Sequence, residues 1–295
     1  MQWDVYYDLD EINAWLDDLA RTYPSIVNIE IAGTSYEGRE IKGIRISHGE
    51  GKRIVFVEGG IHAREWITPA TVCYLINELL TSSNEETVAA ARDFDWYIFP
   101  VTNPDGYVWT HTDNIFKIRS FVGYIFKYTY IVPWTLHLAA YLRALGDRID
   151  LYLAMHSSGQ LLLLPFGNTT EPLANYYDAV NIGRRAMGAL SVRYGTEYTT
   201  GNIAEAIYLA TGASVDWVKE HLRVPLVYSF ELRDRGTYGH LLPPEQILPT
   251  GEETTDSIID LIYQAKRFGY MNSGNNLRVS FLITVMTIVI FMDYL

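Results

Sequence analysis

Four runs in this chain are apolar at consecutive positions rather than alternate ones: "RIVFV" (53–57), "DWYIFPV" (95–101), "IDLYLAM" (149–155) and "VPLVYSF" (224–230). A strand with no polar face cannot lie against water, so such runs belong inside a sheet covered above and below. Stretches with helical spacing lie between them. "DLDEINAWLDDLARTYP" places Ile12, Leu16 and Leu19 on one face, and "TPATVCYLINELL", "NYYDAVNIGRRAMGALSVRYG" and "EETTDSIIDLIYQAKRFG" read as further helices. In the second of these Thr68 is the expected N-cap and Pro69 the first-turn residue. "IVNIEIA" and "IKGIRIS" flank "YEGRE" as a hairpin would, and "TNPDGY" reads as a turn cluster. The expected fold is α/β: a single domain with a mixed, twisted sheet and helices on both faces. One interval, Ile115 to Leu142, is rich in aromatics and shows no clear period, so no element is assigned to it.

The 295 residues, 48% of them apolar, suffice for one large core, and no linker or repeat divides them. Residues 1–270 are read as the catalytic domain, with 115–146 atypical, and 271–295 as an apolar C-terminal tail. The tail's apolar core, Val279 to Met292, is short against the roughly 20 residues of a membrane span, and membrane contact is the minority expectation. The net charge of -12 argues against a nucleic-acid partner. Cys73 is the one cysteine, so no intrachain disulfide forms and a buried, inert thiol is expected. The first residues show no basic segment followed by an apolar run, so no signal peptide is visible.

Polar groups stand where three of the apolar runs end. His62 follows the first run through Gly59 and Gly60, His156 ends the third, and Glu231 ends the fourth. Ligand sites in open α/β sheets form outside the carboxyl ends of strands, which gives these distant residues a reason to converge. In "HARE" His62 and Glu65 are close enough in a turn to reach one ion. A catalytic zinc takes three protein ligands and keeps one position open, and His156 is the expected third. The bland alternatives are a solvated turn for His62 and Glu65, a satisfied core histidine for His156, and a surface glutamate paired with Arg233 or Arg235 for Glu231. His48, His111, His137, His221 and His240 have no such context and are expected at the surface or in packing.

"GGIHAREWITPATVCYLINELL", "TNPDGYVWTHT", "IDLYLAMHSSGQLLLLPFG" and "YSFELRDRGTYGHLLPPEQILPTGEET" resemble, in this order, the zinc metallocarboxypeptidases of the carboxypeptidase A/B type. The resemblance covers most of residues 3 to 114 and 147 to 270. It implies that His62, Glu65 and His156 bind one zinc ion and that Glu231 is the general base. It makes Arg64 a substrate-binding arginine, Tyr238 a tyrosine on a flexible loop that closes over substrate, and Val215 the floor of the specificity pocket. A valine there implies an apolar or aromatic C-terminal residue, since burying an unpaired cation is costly. The implied activity is hydrolysis of the last peptide bond of peptides or proteins by a secreted monomer. The chain departs from the family between "NPDGY" and His156. That interval is short and holds no Asn-Arg dipeptide, the pair that grips the substrate carboxylate in the family. An acidic residue that orients the first zinc histidine is not found there either, and Lys117 and Arg119 lie near the place of the oxyanion arginine. The alternative is therefore a catalytically impaired relative that binds zinc and a peptide or partner without turnover. "NTT" at Asn168 is a glycosylation pattern if the protein is secreted.

Overall fold

The computed structural model describes residues 1–112 and 133–272. Lys117, Arg119, most of the unassigned interval and the tail from residue 273 lie outside the described residues. Burial on both faces is what the central strands show. β3 (Ile54–Glu58) and β4 (Asp95–Phe99) are buried at every position, and β5 (Ile149–Ser157) at every position except His156. With β8 (Leu226–Leu232) they form a parallel block in the order β4-β3-β5-β8. The antiparallel hairpin of β1 (Val27–Thr34) and β2 (Glu40–Ile46) extends one side through β2 and β4. On the other side β6 (Leu161–Leu164) pairs antiparallel with β8 and parallel with β7 (Thr199–Asn202), completing a mixed eight-stranded sheet.

Alternation along each strand divides the core in two. Val55 and Val57 of β3 and Leu151, Leu153 and Met155 of β5 face a cluster built with α1 (Leu9–Thr22), α2 (Ile67–Thr81), α6 (Tyr176–Tyr194) and α9 (Ile247–Arg267). Ile54 and Phe56 of β3 and Tyr152 and Ala154 of β5 face the other way. They pack with α5 (Pro133–Leu145) and α8 (Ser214–Trp217). The helices carry their own end signals. Asp8 and Glu11 form a reciprocal capping box on α1, with both hydrogen bonds at 2.9 Å. Gly195 ends α6 with a left-handed φ of 68°.

Three local expectations change. Thr68 does not cap α2, which begins at Ile67 with Trp66 at the N-cap; the Thr68 hydroxyl instead accepts the Gly60 N–H at 3.0 Å. "TNPDGY" is a helix start rather than a free turn. Asn103 caps α4 (Pro104–Thr110) by accepting the Gly106 N–H at 3.1 Å, and Pro104 takes the first position, where its missing N–H costs nothing. The unassigned interval ends in a regular helix, α5, whose Leu138, Leu142 and Leu145 are buried at i, i+4 and i+7. Aromatic residues before it mask that spacing. A further helix, α3 (Glu85–Asp93), is capped by Asn84. Among the described residues no helix is long and apolar enough to cross a membrane. Because Leu142 is buried in this second cluster, Leu142→Ala is expected to cost about 2–5 kcal/mol in urea unfolding; a loss under about 0.5 kcal/mol would show that α5 is not part of the core.

Candidate metal and catalytic site

The parallel block sets the site, because parallel strands deliver their carboxyl ends to one edge. In the β5–β8 register His156 lies directly beside Glu231, and Glu58 lies beside Ala154. Neighbouring strands are about 4.8 Å apart, so backbone pairing alone brings His156 and Glu231 together. The 59–66 segment then turns back over this edge. Gly60 makes the turn with φ +66°, and a Cβ there would stand 3.0 Å from the Pro100 carbonyl oxygen and 3.1 Å from the Val101 Cα. Neighbouring side chains pin the segment. The Thr102 hydroxyl donates to the Gly59 carbonyl at 3.1 Å, the Asn103 amide to the Ile61 carbonyl at 3.2 Å, and the Thr110 hydroxyl to the Ala63 carbonyl at 3.2 Å. Trp66 stacks on His111 with ring centres 4.1 Å apart, and its indole N–H donates to Thr110 Oγ1 at 3.0 Å.

The result is a triangle of donors. His62 Nδ1 is 3.0 Å from Glu65 Oε1 and 3.1 Å from His156 Nδ1, and His156 Nδ1 is 3.3 Å from Glu65 Oε2. Two ring nitrogens that face each other at this distance share at most one proton, and the buried Glu65 Oε2 takes up no hydrogen bond among the described residues. A cation satisfies all these lone pairs together. Zinc bonds of about 2.0–2.2 Å in a tetrahedral arrangement place donors roughly 3.3–3.6 Å apart, close to the spacings observed. The residues therefore fit a zinc ion by donor type and by separation, and the three are the group that could hold a metal among the described residues.

A zinc carboxypeptidase family profile matches residues 12–120 and 127–257. The chain belongs to the zinc carboxypeptidase family. It is 43% identical to a zinc carboxypeptidase of Simulium vittatum over 92% of this chain and 100% of that protein. It is 38% identical to carboxypeptidase B of Astacus astacus over 88% of this chain and 96% of that one. Among solved structures, that of thrombin activatable fibrinolysis inhibitor superposes with a TM-score of 0.82 at 27% identity, covering 88% of this chain and 74% of that chain. The expected fold and the family resemblance both hold, and this zinc carboxypeptidase uses one zinc ion.

The other residues expected at the site are Glu231, Arg64, Tyr238 and Val215. Glu231 stands at the site edge, paired with no arginine among the described residues. Arg233 is taken by Glu253, with Nε to Oε1 at 2.7 Å, and by Gln246 and Thr196; Arg235 donates to the Glu197 carbonyl at 2.6 Å. The surface ion-pair alternative for Glu231 therefore fails. Burial raises its carboxyl to about 7, with the charge of His156 pulling down and that of Glu65 pushing up. Arg64 forms no ion pair among the described residues, and its charge lowers the pKa of His240, second to burial. Tyr238 is 52% exposed, and its loop turns around Asp234. Asp234 accepts the backbone N–H groups of Gly236 and Gly239 on one oxygen and of Tyr238 on the other, at 2.9–3.1 Å. Gly236 and Gly239 both lie in this hydrogen-bonded turn. Val215 is buried in the cluster on the α8 face.

Sequence reasoning missed three features here. His240, expected away from the site, feels the charges of Arg64, Glu65 and His62; its only sequence signal is its position nine residues after Glu231. Ile207, Tyr208 and Leu209 form a consecutive exposed run just before α8, with Tyr208 65% exposed. Glu58, read as the end of an apolar strand, is 1% exposed and accepts hydrogen bonds from Tyr152 at 2.5 Å and Ser214 at 2.8 Å.

Electrostatics of the metal-free triangle make a test. For Glu65 burial pushes the carboxyl up, but its contacts with His156 and His62 outweigh this and hold it at about 2. For His156 burial pulls the ring down and Glu65 pulls it up, to about 9. The His156 contribution to metal-free stability is complete below about pH 6.5 and is lost as pH rises through about 9. The Glu65 contribution is present above about pH 4.5 and is lost as pH falls through about 2. Zinc requires the deprotonated ring. Loading the metal-free protein at pH 7.5 should therefore release about one proton and grow tighter as pH approaches 9. Calorimetry in two buffers of different ionisation enthalpy measures this; zero release would remove His156 from the ligand set.

Proposed function

We propose that the protein hydrolyses the C-terminal peptide bond of peptides or proteins, with zinc held by His62, Glu65 and His156 and with Glu231 as general base. The observation that carries the reading is the meeting of three zinc-compatible donors with a buried carboxylate one strand away that pairs with no arginine among the described residues. When bound, zinc supplies Lewis-acid polarisation of a carbonyl and acidifies water.

The chain's own residues do the rest. Glu231, with its carboxyl pushed toward neutrality, takes a proton from the attacking water and passes it to the departing amine nitrogen; no covalent intermediate is needed. Its fixed place beside His156 keeps that proton path short. Arg64, whose guanidinium is not engaged in an ion pair among the described residues, offers its donors to the substrate, and Tyr238, whose side chain is exposed, donates its hydroxyl to a substrate peptide group. The C-terminal side chain seats against Val215, which favours an apolar or aromatic stem. The working unit is a monomer that acts outside the cell, in residues 1–270.

A second reading rests on the sequence between "NPDGY" and His156. Without an Asn-Arg pair the substrate carboxylate loses the bidentate grip that only arginine supplies, so a zinc-binding relative without turnover is the alternative. Zinc content by mass spectrometry, beside hydrolysis of blocked dipeptides ending in Phe or Leu, separates the two: metal without hydrolysis supports the alternative.

Glu231→Gln should lower kcat by at least about a hundredfold and leave zinc content unchanged. Equal turnover in that variant would remove Glu231 as the base. The wild-type rate should rise with pH through a midpoint below 7, because a nearby dication favours the carboxylate over the metal-free value. A pH–rate profile that is flat from pH 5 to 8 would contradict a titrating base.

A further inference from the structure

One motif of the sequence, "NTT" at Asn168, takes no part in the proposed reaction. Asn168 is the one asparagine of the chain with Ser or Thr two positions on, and Thr169 between them is not proline. The remaining conditions on an acceptor are structural. It must stand in a surface loop, with room around its amide for a bulky, hydrophilic group. Asn168 lies in the connection from β6 to α6, and Asn168, Thr170, Glu171 and Pro172 are all exposed. Anchors hold both ends of this arch. The Gly167 N–H donates to Asp216 Oδ2 at 2.9 Å, and the Gly167 carbonyl accepts the Ala210 N–H at 2.7 Å. At the other end Leu173 is buried in the core. Between them the Thr169 hydroxyl accepts the Glu171 N–H at 3.1 Å and turns the chain.

Other asparagines are engaged through their amides. Asn84, Asn103 and Asn202 cap helices, and Asn175 donates to the Pro225 carbonyl at 3.0 Å. The Asn168 side chain makes no hydrogen bond among the described residues, so a substituent on its Nδ2 displaces none of them. Strand direction also carries this loop off the catalytic edge. β6 runs antiparallel to β8, with Leu161 opposite Glu231 and Leu163 opposite Ser229, so the chain moves away from that edge as it approaches Asn168. We propose that Asn168 is an N-glycosylation site, modified while the chain passes through the secretory pathway. This rests on the part of the proposed function that places the protein outside the cell. The co-reactants are an oligosaccharyltransferase and a lipid-diphosphate-linked oligosaccharide headed by N-acetylglucosamine. A bond forms between Asn168 Nδ2 and the anomeric carbon of that sugar. The anomeric C–O bond breaks, the lipid diphosphate leaves with the electron pair, and one amide proton is released. The exposed hydroxyl of Thr170 is the group that marks Asn168 for the transferase.

Expression of the full chain behind a fused secretion signal in a mammalian cell line tests the site whatever the chain's own route. Protein from the medium and from the membrane fraction is digested with trypsin. The peptide from Ile149 to Arg184 is then weighed before and after treatment with peptide-N-glycosidase in heavy-oxygen water. Most of the wild-type peptide should carry one glycan, and its release should leave a heavy-oxygen-labelled aspartate at position 168. Asn168→Gln and Thr170→Ala should lose the glycan completely, while Thr170→Ser, which keeps the hydroxyl, should retain it. Zinc content equal to that of the wild type shows that the variants fold; if they do not, the wild-type peptide decides alone. A wild-type peptide unmodified in both fractions, or a Thr170→Ala chain glycosylated as fully as wild type, overturns the inference. A glycan on a chain that hydrolyses none of the blocked dipeptides supports Asn168 and rejects the hydrolytic reading; hydrolysis by a chain that stays unmodified does the reverse.

Discussion

Parallel pairing of β3, β5 and β8 is the constraint from which the site follows. Parallel strands end together, so His156 and Glu231, 75 positions apart, lie side by side at one edge, and the short turn after β3 needs only to fold His62 and Glu65 back onto it. The same pairing hides both faces of these strands. It therefore explains why the runs are apolar throughout, and why each departure from apolar character at a strand end is informative. A chain that puts a glutamate at the last position of an otherwise buried strand must supply it with partners or with a ligand.

The two ends of the parallel block treat carboxylates differently. At the amino ends Asp95 is buried and paired with Arg45 at 2.7 Å, and Asp150 takes Arg53 through both oxygens. These are satisfied ion pairs that fix β2 to β4 and β3 to β5. At the carboxyl ends Glu58, Glu65 and Glu231 meet no arginine among the described residues. The arginines nearest Glu231 in sequence are committed elsewhere, Arg233 to the buried Glu253 on α9. Three carboxylates without cationic side chains, beside two imidazoles, leave the negative potential of that edge open to a metal ion and to donors on a substrate.

Much of this was legible from residue order. Consecutive apolar runs indicated the covered sheet, and His62, Glu65 and His156 were identifiable because they sit just past such runs. What was not legible depends on three-dimensional neighbours. Thr68 has the chemistry of an N-cap, but the tight turn at Gly60 brings a buried N–H within its reach, and a buried donor outweighs an exposed one. Leu138, Leu142 and Leu145 have helical spacing, yet the aromatic residues before them dilute it. His240 lies in a loop and Ser214 at the first position of a short helix, and nothing local tells which of them face the strand ends. Asp234 looks like a partner for Arg233 or Arg235. It is instead the acceptor for three backbone N–H groups within "RDRGTYG".

The separation between Glu65 and Glu231 shows how one edge supports two kinds of carboxylate chemistry. Both are removed from water, which by itself raises each carboxyl. Glu65 touches both imidazoles and is held at about 2, so it stays anionic at any physiological pH and suits a ligand. Glu231 is one strand further on, makes no such contact, and remains near 7, where it can both accept and return a proton. The difference arises from position rather than residue type: a turn that folds Glu65 onto the histidines, and a β5–β8 register that stops Glu231 beside His156 but not against it. Two carboxyls whose environments drive them apart in this way divide naturally into a permanent charge and a proton carrier. A shift of one residue in the β5–β8 register would point Glu231 to the opposite face of the sheet and remove the second of these roles while leaving the first intact.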